Sequence, residues 1–150
     1  MKLEQEIVTK KFKNEFTKAV VNIIYTSNWL HSRHAKLLKP FGLTNQQFNI
    51  LRILRGQHPN PATVRLLTER MLDKMSNASR LVEKLRVKGL VGRDTCSQDR
   101  RQVNVCITKE GLDLLSEIDQ MLDDLEQEYV ANITEEEAAE LSRILDKMRG

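Results

Sequence analysis

Between Lys10 and Leu38 the chain carries no proline or glycine, and apolar side chains recur at Phe12, Phe16, Val20, Ile23, Ile24, Leu30, Leu37 and Leu38. Steps of three, four and seven residues put these on one face of a long helix. Pro40 and Gly42 end it in a short turn. Thr44-Asn45-Gln46-Gln47 then has the form of a capping box, in which a hydroxyl accepts the amide three residues on and the Gln side chain reaches back. A second helix is expected from Thr44 to about Gly56, with Phe48, Leu51, Ile53 and Leu54 turned inward. Asn60 can cap a third helix and Pro61 can occupy its first position, where the missing N–H costs nothing. This helix carries Val64, Leu66, Leu67 and Met71. Asp73 is the expected cap of a fourth, whose buried stripe is Ala78, Leu81, Val82 and Leu85 and which stops at Lys88-Gly89. Two short helices across a tight turn make a helix-turn-helix.

After Gly89 the period drops to two. Leu90 to Thr95 and Gln102 to Thr108 read as two strands of a hairpin, joined by Cys96-Ser97-Gln98-Asp99-Arg100-Arg101. Helical spacing returns over 109–132 with Leu115, Ile118, Leu122, Leu125 and Tyr129, and Thr134 to Glu137 repeats the capping-box pattern before a last helix with Ala138, Leu141, Leu145 and Met148. The expected fold is mostly α with a small β-hairpin wing, a winged helix-turn-helix flanked by long N- and C-terminal helices. At 150 residues it is expected to be a single domain. Within it, 43–108 would form the winged lobe, and 1–42 with 109–150 a helical dimerisation region. The flanking apolar stripes are too long for so small a core to cover, and a twofold partner would cover them.

Composition narrows the function. The formal charge is only +3, but it is unevenly spread: residues 1–61 hold 10 basic and 3 acidic side chains, 62–110 hold 11 and 6, and 111–150 hold 3 and 12. A basic front and an acidic tail lie under the near-neutral total. No apolar run approaches the ~20 residues of a membrane span, and the first residues lack the pattern of a signal peptide, so a cytoplasmic protein without membrane contact is expected. Cys96 and Cys106 cannot make a disulfide framework, and no His/Cys cluster offers metal-ligand spacing. No metal or other cofactor is expected. His31, His34 and His58 have no nucleophile at motif spacing, and phosphate-binding or dinucleotide-binding glycine loops are missing, so the chain is not expected to be an enzyme.

If Ala78, Leu81, Val82 and Leu85 point inward, Ser76, Asn77, Arg80 and Lys84 point outward. An α-helix fits the major groove of duplex DNA; Arg can take guanine bidentately, Asn can take adenine, and Ser and Lys can hold phosphates. Arg93, Arg100 and Arg101 on the hairpin can reach a minor groove, whose negative potential draws guanidinium groups. Asp99 is expected to pair with a neighbouring Arg. A charged helix is often only a solvated face, and a protein-interaction module with a winged-helix scaffold is the alternative from another class. Base-reading side chains on the outward face favour DNA.

Three segments in order, Leu43-Thr44-Asn45-Gln46-Gln47-Phe48-Asn49-Ile50-Leu51, Ser79-Arg80-Leu81-Val82-Glu83-Lys84-Leu85 running into Lys88-Gly89-Leu90-Val91, and Asp99-Arg100-Arg101 with Ile107-Thr108-Lys109-Glu110-Gly111, resemble the successive signatures of the MarR family of bacterial transcription regulators. The resemblance covers most of the chain. It implies a homodimer with interlocked terminal helices and two winged lobes on a pseudo-palindromic operator, with Arg80 as the recognition-helix arginine and Arg100 as the wing-tip arginine. It also implies a repressor released by a small, largely apolar anion in a crevice between the first helix and the lobe. Trp29, Phe41 and Phe48, three of only seven aromatics, fall near the turn at Pro40 and are the expected wall, with Arg33 or His34 as charge partner. Redox sensing is the alternative. The N-terminal helices lack the cysteine carried there by peroxide sensors of the family, while Cys96, near Arg93 and Arg100 in sequence, can favour a thiolate.

Overall fold

The computed structural model describes residues 2–9, 11–95 and 103–150. The backbone clusters into two compact units, Met1–Phe48 and Asn49–Gly150.

The first unit contains α1 (Leu3–Glu6), α2 (Glu15–Leu38), a 3-10 turn (Lys39–Phe41) and the first turn of α3 (Asn45–Gln57). The apolar spacing placed the start of the long helix near Lys10, but it begins at Glu15. Asn14 sets the boundary: its Oδ1 accepts the Thr17 N–H at 2.8 Å and the Thr17 hydroxyl at 3.0 Å, satisfying a donor that the first turn leaves without a helical partner. The short α1, which periodicity did not reveal, is tied to α2 by the Tyr25 hydroxyl donating to Glu6 Oε2 at 2.8 Å and by Lys18 with Glu4 at 2.6 Å. Within α2 only Leu38 is buried, while Phe16, Val20, Ile23 and Ile24 stay exposed. The capping box at Thr44 forms as the sequence predicts: Gln47 N–H donates to Thr44 Oγ1 at 3.2 Å and Thr44 N–H to Gln47 Oε1 at 3.1 Å. Gln47 is itself buried, which a fully engaged side-chain oxygen makes tolerable.

In the second unit the rest of α3 is followed by β1 (Ala62–Thr63), α4 (Val64–Arg70), α5 (Ala78–Val87), β2 (Val91–Thr95), β3 (Val103–Ile107), α6 (Lys109–Val130) and α7 (Glu135–Arg149). Three expectations are corrected. The third helix is not started by Asn60 and Pro61; Thr63 caps it, accepting the Leu66 N–H at 3.1 Å. Ala62 and Thr63 are extended and pair antiparallel with Val105 and Asn104, so the hairpin becomes a three-stranded sheet in the order β1-β3-β2. Thr108 is not the end of the second strand but the cap of α6. Ile50, Leu51, Leu54, Leu67, Met71, Val82, Leu85, Val91, Val105, Leu115 and Ile118 are almost fully buried and form the core of this unit.

Thr108 is where its parts converge. Its hydroxyl accepts the Gly111 N–H at 3.1 Å and donates to the Gly89 carbonyl at 2.7 Å, and its own N–H donates to the Leu90 carbonyl at 3.1 Å. One residue thus joins the end of α5, the end of β3 and the start of α6. Gly89 takes a φ of 73°, the left-handed conformation that closes a helix and that glycine adopts without strain. Gly111 is required for a different reason: a Cβ there would lie 2.4 Å from the Leu90 carbonyl oxygen and 2.8 Å from Ile107 Cγ1. Farther along α6, Asp119 receives a two-pronged bond from Arg55 of α3, 2.5 Å from Nη1 and 3.2 Å from Nη2. α7 opens on the predicted capping box of Thr134 and Glu137 but buries none of its residues, leaving Leu141, Ile144 and Met148 exposed.

Gly111→Ala should lower stability by about 3 kcal/mol, since a backbone carbonyl cannot swing aside as a side chain can. Thr108→Ala should cost about 1–2 kcal/mol through loss of the cap, and Thr108→Ser much less. Urea midpoints at one fixed protein concentration check both; equal midpoints for Thr108→Ala and wild type would contradict the convergence at Thr108.

Candidate nucleic-acid interface

The segment between α4 and α5 is held by side chains bonding to nearby backbone. Leu72 N–H donates to Asn49 Oδ1 at 3.0 Å. Asp73 Oδ1 accepts the Met75 N–H at 3.0 Å, and its Oδ2 accepts the Ser76 hydroxyl at 2.8 Å. Lys74 Nζ donates to the Glu69 carbonyl at 2.5 Å. Asp73 was the expected helix cap. Instead it closes a turn of its own two residues ahead, the habit of aspartate in loops, and the helix waits for Asn77, whose Oδ1 accepts the Arg80 N–H at 3.0 Å. Ser76 and Asn77 therefore precede α5 rather than lie on its outward face. With Oδ1 engaged in the cap, a base contact by Asn77 has to run through Nδ2 or share that oxygen.

Along α5 the predicted division holds. Ala78, Val82 and Leu85 are buried, Leu81 is half-buried, and Arg80 and Lys84, one turn apart, are exposed. Glu83 lies a quarter-turn round the helix and accepts from Arg86 at 2.8 Å and from Arg93 of β2 at 3.3 Å. The Arg86 hydrogen bond first, and Arg93 after it, hold the Glu83 carboxyl below the ordinary carboxylate range against some desolvation. Arg93 is on the same face of the sheet as Val91, opposite Val105 in register, so its guanidinium reaches α5. The structure thus ties Arg93 to the helix through Glu83. Arg100, Arg101, Asp99 and Cys96 fall outside the described residues; Cys106 is on β3 opposite Gly92, a half-buried thiol.

Sequence periodicity gave no role to Leu72 and Met75, which fall between the two helical stripes. Both are exposed. The signal that could have shown it is the spacing of Asp73 from Ser76, which turns the backbone outward before Asn77 begins the helix.

The five residues proposed to wall a ligand site all belong to the first unit. The Arg33 guanidinium carbon sits 5.2 Å from the centre of the Trp29 ring, a cation over an aromatic face. His34 is half-buried, and burial, with His31 adding to it, pushes its pKa below the ordinary value of 6.5. At neutral pH it carries no charge, so Arg33 is the cation of this group. Phe41 in the 3-10 turn and Phe48 in α3 are half-buried. Among the described residues, no group of three or more acidic, His or Cys side chains is placed to hold a metal, and no helix is long and apolar enough to cross a membrane.

Residues 41–102 match the family model described as the MarR family. Solved structures extend the likeness over most of the chain. A MarR transcription factor from Planctomyces limnophilus is 26% identical, with 91% of this chain and 98% of that one aligned at a TM-score of 0.69. MepR of S. aureus in its DNA-binding conformation is 25% identical over 87% and 95% of the two chains, with a TM-score of 0.72. Wild-type apo MarR from E. coli is 27% identical over 85% and 94%, with a TM-score of 0.64. With an arginine-bearing helix joined through Glu83 to a three-stranded sheet, and the family model matched over that same segment, the chain is similar in sequence and fold to the MarR family of transcription regulators.

Proposed function

We propose that the chain is a homodimeric, sequence-specific repressor acting in the cytoplasm, which holds a pseudo-palindromic operator until a small apolar anion weakens its grip. The observation that carries this reading is α5, whose Ala78, Val82 and Leu85 face is buried while Arg80 and Lys84 stand exposed on the other side. In it Arg80 reads a guanine edge, Lys84 and Ser76 take phosphates, and Asn77 adds a contact through its amide nitrogen. Arg100 and Arg101 enter the minor groove, with Arg93 at the wing's base. The likeness to MepR in its DNA-binding conformation supports this placement.

The dimer reading, with 1–42 and 109–150 as the dimerisation region, rests on what the single chain leaves bare. Exposed Phe16, Val20, Ile23 and Ile24 on α2, and Leu141, Ile144 and Met148 on α7, are more apolar surface than soluble monomers usually show. For the effector, Trp29, Phe41 and Phe48 supply apolar wall and Arg33 the positive charge, while neutral His34 can give only a hydrogen bond.

Arg80→Ala should cost about 1–3 kcal/mol on the preferred site and relax its preference at one position per half-site. Arg100→Ala should weaken all sequences and lower the salt dependence by roughly one unit of slope. Selection from a randomised duplex library separates the two, and an Arg80→Ala profile of unchanged shape would remove the base-reading role.

Ile144→Glu should shift the protein to monomer in sedimentation, and DNA affinity should fall with it. The wild type should protect two half-sites about one helical turn, ~10 base pairs, or a multiple of it apart. A wild-type monomer at micromolar concentration would defeat the dimer.

Salicylate-like anions should release the operator from the wild type and much less from Arg33→Ala, because a ligand shifts the equilibrium only by its preference for the DNA-incompetent state. If such anions do nothing while peroxide releases DNA only when Cys96 is present, the thiol is the sensor.

A further inference from the structure

Leu72 and Met75 are 87% and 93% exposed, the two most exposed large apolar side chains of the second unit among the described residues. They do not hang from a loose loop. The Leu72 and Met75 amides are both hydrogen-bonded, to Asn49 and Asp73, and Lys74 between them is anchored on the Glu69 carbonyl. The turn pins the backbone of two exposed apolar residues directly before the Asn77 cap and the outward Arg80.

Their surroundings say what they meet. Residues 70–88 hold six basic side chains, Arg70, Lys74, Arg80, Lys84, Arg86 and Lys88, against two acidic ones, Asp73 and Glu83. Both acids are engaged within the fold, Asp73 by the turn and Glu83 by Arg86 and Arg93. Two separate apolar points in a cationic field suit a surface that is anionic overall and carries isolated methyl groups. The major groove of duplex DNA is such a surface, and thymine is the one standard base with a methyl there. A hydrophobic protein partner would call for a contiguous apolar patch, without lysine between its anchors.

Building on the reading of α5 as the recognition helix, we propose that Leu72 and Met75 are specificity-determining residues that pack on thymine methyl groups beside the base read by Arg80. The flexible, polarisable thioether of Met75 adapts to a methyl without a fixed shape match. Leu72 provides a branched contact at the other end of the turn.

The test uses the full chain and an operator selected by the wild type from a randomised duplex pool. Each thymine is then replaced singly by uracil, which removes only the methyl. The expected result is about a fourfold loss of wild-type affinity, the worth of one buried methyl-sized group, at one or two thymines per half-site. Met75→Ala and Leu72→Ala should each be indifferent to uracil at one of those thymines, while Arg80→Ala keeps the full penalty. Unfolding midpoints near wild type, expected for such exposed side chains, show that both variants fold. The proposal is overturned if the selected half-site has no thymine beside the guanine, if the wild type ignores every uracil, or if the penalties persist in both variants. It is also overturned if Leu72→Ala and Met75→Ala leave DNA binding intact and abolish only a protein contact. Failure of the wild type to select any sequence would instead defeat the reading of α5 itself, so the two failures are told apart.

Discussion

The second unit depends on one hydroxyl. Thr108 accepts from Gly111 and donates to Gly89, so the end of α5, the end of the sheet and the first turn of α6 are fixed by a single side chain. Beside it the Leu90 carbonyl and the Ile107 side chain approach closely enough to exclude a Cβ at Gly111. Under the proposed base-reading role this matters, because such a helix must be held within a fraction of an ångström of its working position. α5 is held at one end by this junction and at the other by the Asn77 cap, with Glu83 bridging from its side to Arg93 of β2.

The same bridge divides the arginines into two kinds. Arg86 and Arg93 share a carboxylate and serve the helix–sheet joint, whereas Arg80 points outward on another face of the same helix. A count of positive charge along the sequence cannot separate them. A surface pair of this kind contributes little to stability; its larger effect is on direction, since it turns the Glu83 carboxylate toward Arg86 of its own helix and Arg93 of β2.

The fold was legible wherever period and cap coincide. Thr44 with Gln47 and Thr134 with Glu137 place their helix starts to the residue because each capping box is a local bond pair that needs no tertiary context. The misplaced boundaries share a cause. Asn60, Asp73 and the run from Lys10 are all plausible locally, but Thr63, Asn77 and Asn14 are the residues whose oxygens meet a helix amide. Pairing of Ala62 and Thr63 with β3 was out of reach, since it joins residues some forty positions apart. Of the candidate interface, the exposure of Arg80 and Lys84 could be read from the buried stripe opposite them. Ser76 and Asn77 were shifted off the helix face by Asp73, and the outward Leu72 and Met75 belong to neither helical stripe, so periodicity says nothing of them.

α7 carries a consequence for local stability. A helix of 15 residues is marginal in water without packing, and this one buries nothing within its own chain. Its order within a single chain therefore rests on local bonds alone, the Thr134–Glu137 capping box and the Glu140–Arg143 and Asp146–Arg149 pairs, so that its amide hydrogens gain protection from exchange only as far as some further surface covers Leu141, Ile144 and Met148.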